Sequence, residues 1–208
     1  GIFYEFIPMD TFGTENQKVI TLADVEPNKN YAVVITTNGG LWRYLIGDTV
    51  RFTSINPYRI RITGRTKHHI NVFGEELMVE NTDRAIAKAC EVTGAEVVDY
   101  TVAPIFMDGK EKGAHEWIIE FSSNPKDIEQ FRQSLDEALQ SLNSDYEAKR
   151  YNNMTLNPLV LNVARPKLFY DWLKAQDKLG GQHKIPRLSN ERKYLEELNA
   201  CHRAENAV

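Results

Sequence analysis

The chain has 208 residues, 42% of them apolar and 26% charged, with a formal net charge of −4. That length holds one large or two small domains around a real core, and the proportions are those of a soluble globular protein. No apolar run approaches the roughly 20 residues that span a bilayer, and the acidic balance leaves no footprint for a nucleic-acid polymer, so membrane and polynucleotide roles are excluded.

Residues 2 to 62 read as strands. Ile2–Ile7, Tyr31–Thr37, Leu41–Ile46, Thr49–Ile55 and Tyr58–Ile62 are rich in β-branched and aromatic residues. Pro8, Gly13, Pro27-Asn28, Asn38-Gly39-Gly40, Gly47-Asp48 and Asn56-Pro57 supply breaks between them. After Gly64 the pattern changes. Glu80–Glu91 has helical spacing and stops at Thr93-Gly94, and Val97–Phe106 and Glu116–Phe121 read as strands. Asn124–Leu142 reads as an amphipathic helix with Pro125 in its first turn and a stripe of Ile128, Phe131, Leu135, Leu139 and Leu142. Leu159–Val163 comes next as a strand, and Lys167–Lys178 and Glu191–Asn199 as helices.

The fold expected is therefore α+β: a small antiparallel β subdomain (1–63), a hinge (64–67), and a C-terminal sandwich-like α+β domain (68–201). The polar stretch 202–208 can bury no face and reads as a disordered tail. The boundary lies at Thr63–Lys67, where Gly64 supplies backbone freedom and the connector is polar.

Several residues could carry chemistry. Asp48 is either a turn aspartate after Gly47 or a ligand, since a carboxylate can accept both hydroxyls of a ribose diol. Arg65, beside Gly64, offers a planar fork of donors; the alternative is a surface arginine paired with Glu75 or Glu76. Arg59, Arg61, Arg65 and Lys67 together suit a single small anion. Tyr44 shares the Asp48 face of an unbulged strand and could wall a nucleotide. Lys184 stands in Gly180–Arg187, a loop whose glycines permit close backbone approach to a ligand. His68-His69 would point to opposite faces of a strand and cannot chelate one ion together, so no metal site is expected. Cys90 and Cys201 have no metal-like or redox-like spacing, which suits a reducing cytosol. Trp42, Trp117 and Trp172 read as core or interface residues.

YLIGD (Tyr44–Asp48) resembles the Tyr-Arg-Thr-Gly-Asp segment of adenylate-forming enzymes, and GRTKHHINVFGEEL (Gly64–Leu77) their Gly-Arg hinge segment. More closely, YEFIPMD (Tyr4–Asp10), VITTNGGLWRYLIGD (Val34–Asp48) and GQHKIPR (Gly181–Arg187) resemble, in that order, the auxin-responsive acyl-acid amido synthetase family. The match is tight from Phe3 to about Leu77 and looser afterwards apart from the lysine loop, where His183 replaces the family tyrosine.

The resemblance implies that the chain is the C-terminal part of a ligase that uses ATP with Mg2+ to adenylate an acyl acid and transfers the acyl group to an amino acid, releasing AMP. It gives Asp48 to the ribose, Arg65 and Tyr44 to the nucleotide site, Gly64 and Lys67 to the hinge, and Lys184 to catalysis. The phosphate loop, acyl pocket and magnesium ligands are expected upstream, in the rest of the N-terminal adenylating domain, and this part alone is expected to be inactive. A cytoplasmic location is implied. Two rivals stand beside it: a non-catalytic binding module derived from such an enzyme, and a ligase with a thiol acceptor such as coenzyme A, against which Asn71 weighs because such ligases usually carry lysine there.

Overall fold

The computed structural model describes residues 1–66, 68–108, 111–151, 155–178 and 184–205, the side chains of 204 and 205 excepted. In chain order the elements are β1 (Ile2–Pro8), β2 (Ile20–Thr21), a 3-10 turn (Leu22–Asp24), β3 (Asn30–Thr37), β4 (Tyr44–Ile55), β5 (Tyr58–Arg65), β6 (His69–Ile70), β7 (Leu77–Met78), α1 (Val79–Thr93), β8 (Glu96–Ile105), β9 (Ala114–Ser123), α2 (Ile128–Leu142), α3 (Ser144–Arg150), β10 (Val160–Ala164), α4 (Leu168–Ala175) and α5 (Lys193–Glu205). They form two compact units, Gly1–His69 with Met78–Glu80, and Ile70–Leu77 with Asn81–Val208. The α+β class expected from the sequence is the one observed.

The first unit is one antiparallel sheet in the order β2-β1-β3-β4-β5. Alternation along β1 and β3 sends side chains to both faces. Phe6, Tyr31, Val33, Val50 and Phe52 pack together on one, and Ile7, Met9, Ala32 and Val34 on the other. The Phe6 and Phe52 rings meet edge to face at 5.1 Å, the geometry that the ring quadrupoles favour.

The sheet departs from the pattern expected: β2 was not foreseen, and β5 continues to Arg65, through Gly64 of the expected hinge. The break predicted at Gly47-Asp48 is not a turn between strands, because β4 runs unbroken from Tyr44 to Ile55. Ala32 pairs with Thr49 and Val34 with Leu45, so Ile46, Gly47 and Asp48 together face Val33 alone. Within this bulge Gly47 sits at φ 90°, a conformation that glycine adopts without the strain a side chain would bring. Trp42, which precedes β4, is 82% exposed and so is not core, which leaves the interface alternative for it, whereas Trp117 and Trp172 are buried.

The second unit is a three-stranded sheet, β10-β9-β8, with β8 antiparallel and β10 parallel to β9. On one face Trp117 stacks on Tyr100, and Phe121 meets Phe131 of α2. On the other, Ala103 and Ile118 pack against Leu168, Phe169 and Trp172 of α4 and Leu195 and Leu198 of α5. Helix α2 begins later than expected: Asp127 is its cap and accepts from the Glu129 and Gln130 amides, which leaves Pro125 outside the helix. The short helix α3 was not foreseen. Asn143 caps it by accepting from the Tyr146 amide, and Asp136 of α2 ties it down by accepting from the Tyr146 hydroxyl and the Arg150 guanidinium. The disordered tail expected from His202 is instead the last turn of α5 as far as Glu205, and the Arg165 amide donates to His202 Nδ1 at 3.4 Å. Residues 206–208 lie outside the described set.

Candidate functional site

Asp48 and Arg65 are direct cross-strand partners in β4 and β5. Arg65 Nε lies 3.1 Å from Asp48 Oδ1, and both side chains reach solvent, Arg65 65% and Asp48 33% exposed. The Thr66 amide donates to the Gly47 carbonyl at 2.9 Å, so the backbone on either side of the pair is tied together. Near it the Thr63 hydroxyl donates to Thr49 Oγ1 at 3.1 Å in a buried setting. The pair uses one carboxylate oxygen. Asp48 Oδ2 and the two terminal nitrogens of Arg65 take no partner among the described residues, so the site presents acceptors and donors side by side. The partner of Arg65 is thus Asp48, within the same unit. Glu75 is fully buried in the second unit, 2.9 Å from His115 Nε2, and its other oxygen accepts from the Phe73 amide.

Tyr44 opens β4 opposite Ile35 and is half-exposed. The Gly47 bulge intervenes between it and Asp48, and no hydrogen bond joins the two among the described residues. Arg43, just before β4, is spent on Glu5, its Nε donating to Oε2 at 3.0 Å. Gly64 lies within β5 opposite Thr49. Lys67 falls outside the described residues; beyond it the His68 amide donates to the Arg65 carbonyl at 2.9 Å. Among the described residues no three His, Cys, Asp or Glu side chains are arranged to hold a metal ion.

Lys184 belongs to the second unit and is exposed. The glycines before it, with Gln182 and His183, lie outside the described residues, but the segment on its C-terminal side is closely held. Ile185 is buried in the core on the α4 and α5 face. The Thr101 hydroxyl donates to the Pro186 carbonyl at 2.7 Å, the Val102 amide to the Arg187 carbonyl at 2.9 Å, and the Ser189 amide to the Val102 carbonyl at 3.1 Å. Leu188 thus bridges Val102 in parallel, and residues 186–189 cover the outer edge of β8. Arg187 itself donates from Nη1 to both oxygens of Asp83 on α1, at 2.8 and 2.7 Å, and lies over the Tyr100 ring, 5.3 Å from its centre. The Tyr100 hydroxyl donates to Asp83 Oδ1 at 2.5 Å, and burial and the Asp83 charge push its pKa far above the ordinary tyrosine value. Close by, burial raises the Asp99 carboxyl, while the Arg187 and Lys184 charges pull it down. Asp83, Tyr100 and Asp99 were not singled out by sequence; Asp83 and Arg187 are 104 residues apart, so no local pattern announces their pairing.

Sequence profiles decide the family. The profile of the GH3 family central domain matches residues 1–65, and that of the GH3 family C-terminal domain residues 80–193. The chain belongs to the GH3 family. It is 26% identical over 198 residues to the indole-3-acetic acid-amido synthetase GH3.3 of Arabidopsis thaliana, covering 89% of this chain and 33% of that protein. A GH3 domain-containing protein of Mus musculus is 28% identical over 179 residues, covering 80% and 32% respectively. Among solved structures, GH3.15 acyl acid amido synthetase superposes with a TM-score of 0.67 at 24% identity over 96% of this chain and 36% of that one, a likeness of fold. The chain spans about a third of the length of the curated GH3 relatives it matches. The family expected from Tyr4–Asp10, Val34–Asp48 and Gly181–Arg187 is the one the GH3 profiles return.

Proposed function

We propose that the intact protein is an acyl acid amido synthetase: it activates a carboxylic acid with ATP as the acyl-adenylate and transfers the acyl group to an amino acid, releasing AMP. The observation that carries this reading is the Asp48–Arg65 pair, set across two strands at the end of a GH3 central domain with one carboxylate oxygen unused. Asp48 would accept the two hydroxyls of the ribose, one on each oxygen, and Arg65 would hold the carboxylate in place and offer its remaining donors to the nucleotide. Tyr44, half-exposed on the same strand, would flank the nucleotide.

Lys184 would bring a compact positive charge to the α-phosphate and the attacking carboxylate as negative charge grows in the transition state. The second unit would carry it there by turning about Thr63–Lys67. Thr63, Gly64 and Arg65 are themselves paired within β5, and Lys67 lies outside the described residues. The chain passes between the units after His69, Leu77 and Glu80, so the turn needs give at each crossing. The magnesium expected with ATP finds no ligand set among the described residues, and no step is assigned to it. No described helix is long and apolar enough to cross a membrane, and both cysteines are free, which suits a reducing cytosol.

The test is to incubate the intact protein with ATP, indole-3-acetate, benzoate and a fatty acid in turn, and a mixture of amino acids, and to analyse the products by mass spectrometry. An amide formed in equal amount to AMP supports the reading. ATP binding with no acid consumed would favour the non-catalytic module instead.

A further inference from the structure

The lysine assigned to the first half-reaction sits on a loop, yet electrostatic stabilisation demands placement to within a fraction of an ångström. The means of fixing Lys184 are visible in the second unit, where its C-terminal neighbours are held in three different ways. Ile185 is buried in the core. Residues 186–189 hydrogen-bond along the edge of β8 through Thr101 and Val102. Arg187, three residues from Lys184, donates from Nη1 to both oxygens of Asp83 and lies over the Tyr100 ring, whose hydroxyl in turn donates to Asp83 and meets Thr82 Oγ1 at 2.7 Å. A planar guanidinium that meets a carboxylate and an aromatic face together is fixed in orientation as well as position. The Tyr100 ring is itself stacked on buried Trp117, so the grip is referred to the sheet rather than to another loop.

As an ion pair the arrangement is too exposed to matter much for stability, with Arg187 and Asp83 side chains 44% and 43% accessible. Its value lies in geometry. We propose that Asp83, Arg187 and Tyr100 are positioning residues for Lys184, a clamp that sets the lysine relative to the β8 edge so that it arrives at the α-phosphate in register. The clamp's catalytic role rests on the proposed function of Lys184 as the cation of the first half-reaction.

Two measurements on the intact protein test the clamp. In hydrogen–deuterium exchange, Asp83→Asn and Arg187→Ala should speed exchange of the Val102 and Ser189 amides about tenfold or more while α2 amides keep their wild-type rates, since local opening, not global unfolding, is what the clamp controls. In acid-dependent ATP–pyrophosphate exchange with the same acids, either variant should lose about ten- to a hundredfold in kcat with KM for ATP little changed. Arg187→Lys, which keeps the charge and loses the planar group over Tyr100, should recover only part. The deciding comparison is the double variant: with Lys184→Ala already present, Arg187→Ala should cost nothing more, whereas a merely structural role would lower the rate again. Unchanged protection of Val102 and Ser189, or rates within twofold of wild type in Asp83→Asn and Arg187→Ala while Lys184→Ala reduces exchange to a low residual rate, would overturn the clamp alone. A Lys184→Ala protein that exchanges at the wild-type rate would remove the reading of Lys184 and the clamp's catalytic role with it, even if the amides loosen.

Discussion

Truncating Asp48 should separate stability from nucleotide affinity. In the folded protein Asp48 makes one ion pair, to Arg65 at 3.1 Å, with a third of its own side chain and two-thirds of its partner's in solvent. Pairs of that exposure contribute about 0–1 kcal/mol, so Asp48→Ala should shift the midpoint of urea unfolding only slightly. A ribose diol seated on the carboxylate makes two hydrogen bonds to a charged acceptor, each contributing about 1.5–3 kcal/mol. Taking the lower figure for both, removal costs about 3 kcal/mol, which is roughly a hundredfold in affinity. Asp48→Asn keeps one acceptor oxygen and should fall between. The assay is calorimetric titration of AMP into the intact wild-type and variant proteins, with urea unfolding alongside. AMP binding unchanged in Asp48→Ala would refute the ribose assignment. So would a stability loss above about 2 kcal/mol, because that is outside the range of an exposed pair and would mark Asp48 as structural.

Other outcomes are set by the same geometry. Gly47→Ala should destabilise the protein by about 1–2 kcal/mol in urea unfolding, since a Cβ at φ 90° is strained although its nearest neighbour, Thr66 Oγ1, is 3.9 Å away; Gly39→Ala, with no positive φ and only Thr37 Oγ1 near at 3.6 Å, should be close to neutral. Asp136→Ala should cost about 3–5 kcal/mol, because it strands the buried Arg150 guanidinium and the Tyr146 hydroxyl together. Asp99→Asn should raise the melting temperature at neutral pH. Burial raises the Asp99 pKa in the folded state, so its contribution is fully present below the unfolded value and is lost as pH rises through the folded one. The advantage of the asparagine variant should therefore vanish near pH 3 and grow towards neutrality.

Most strands and the longer helices were legible because alternation and helical stripes are local. The features that escaped have local causes misread or distant causes unseen. Gly47-Asp48 carries a turn signal, but the sheet used the glycine for a bulge inside one continuous strand, a choice made by the pairing of β3 with β4. Helix α3 has few apolar residues, and only Tyr146 and Arg150 are buried; its anchor is Asp136, 10 and 14 residues upstream of the two side chains it holds, acting through hydrogen bonds rather than periodicity. The last turn of α5 looked polar, yet His202 accepts from the Arg165 amide. Of the candidate site, Asp48 and Arg65 were named separately from their motifs, and their direct pairing emerged only from register. The partners of Arg187 depend on α1 and β8 meeting the end of the chain, and nothing in the spacing foretells it.

The most direct test of the central claim is acid-dependent ATP–pyrophosphate exchange by the intact protein across a panel of carboxylic acids, with Asp48→Ala and Lys184→Ala measured beside it. Exchange is expected with particular acids, and its collapse in both variants. Exchange that survives both substitutions, or ATP binding with no exchange for any acid, would contradict the claim.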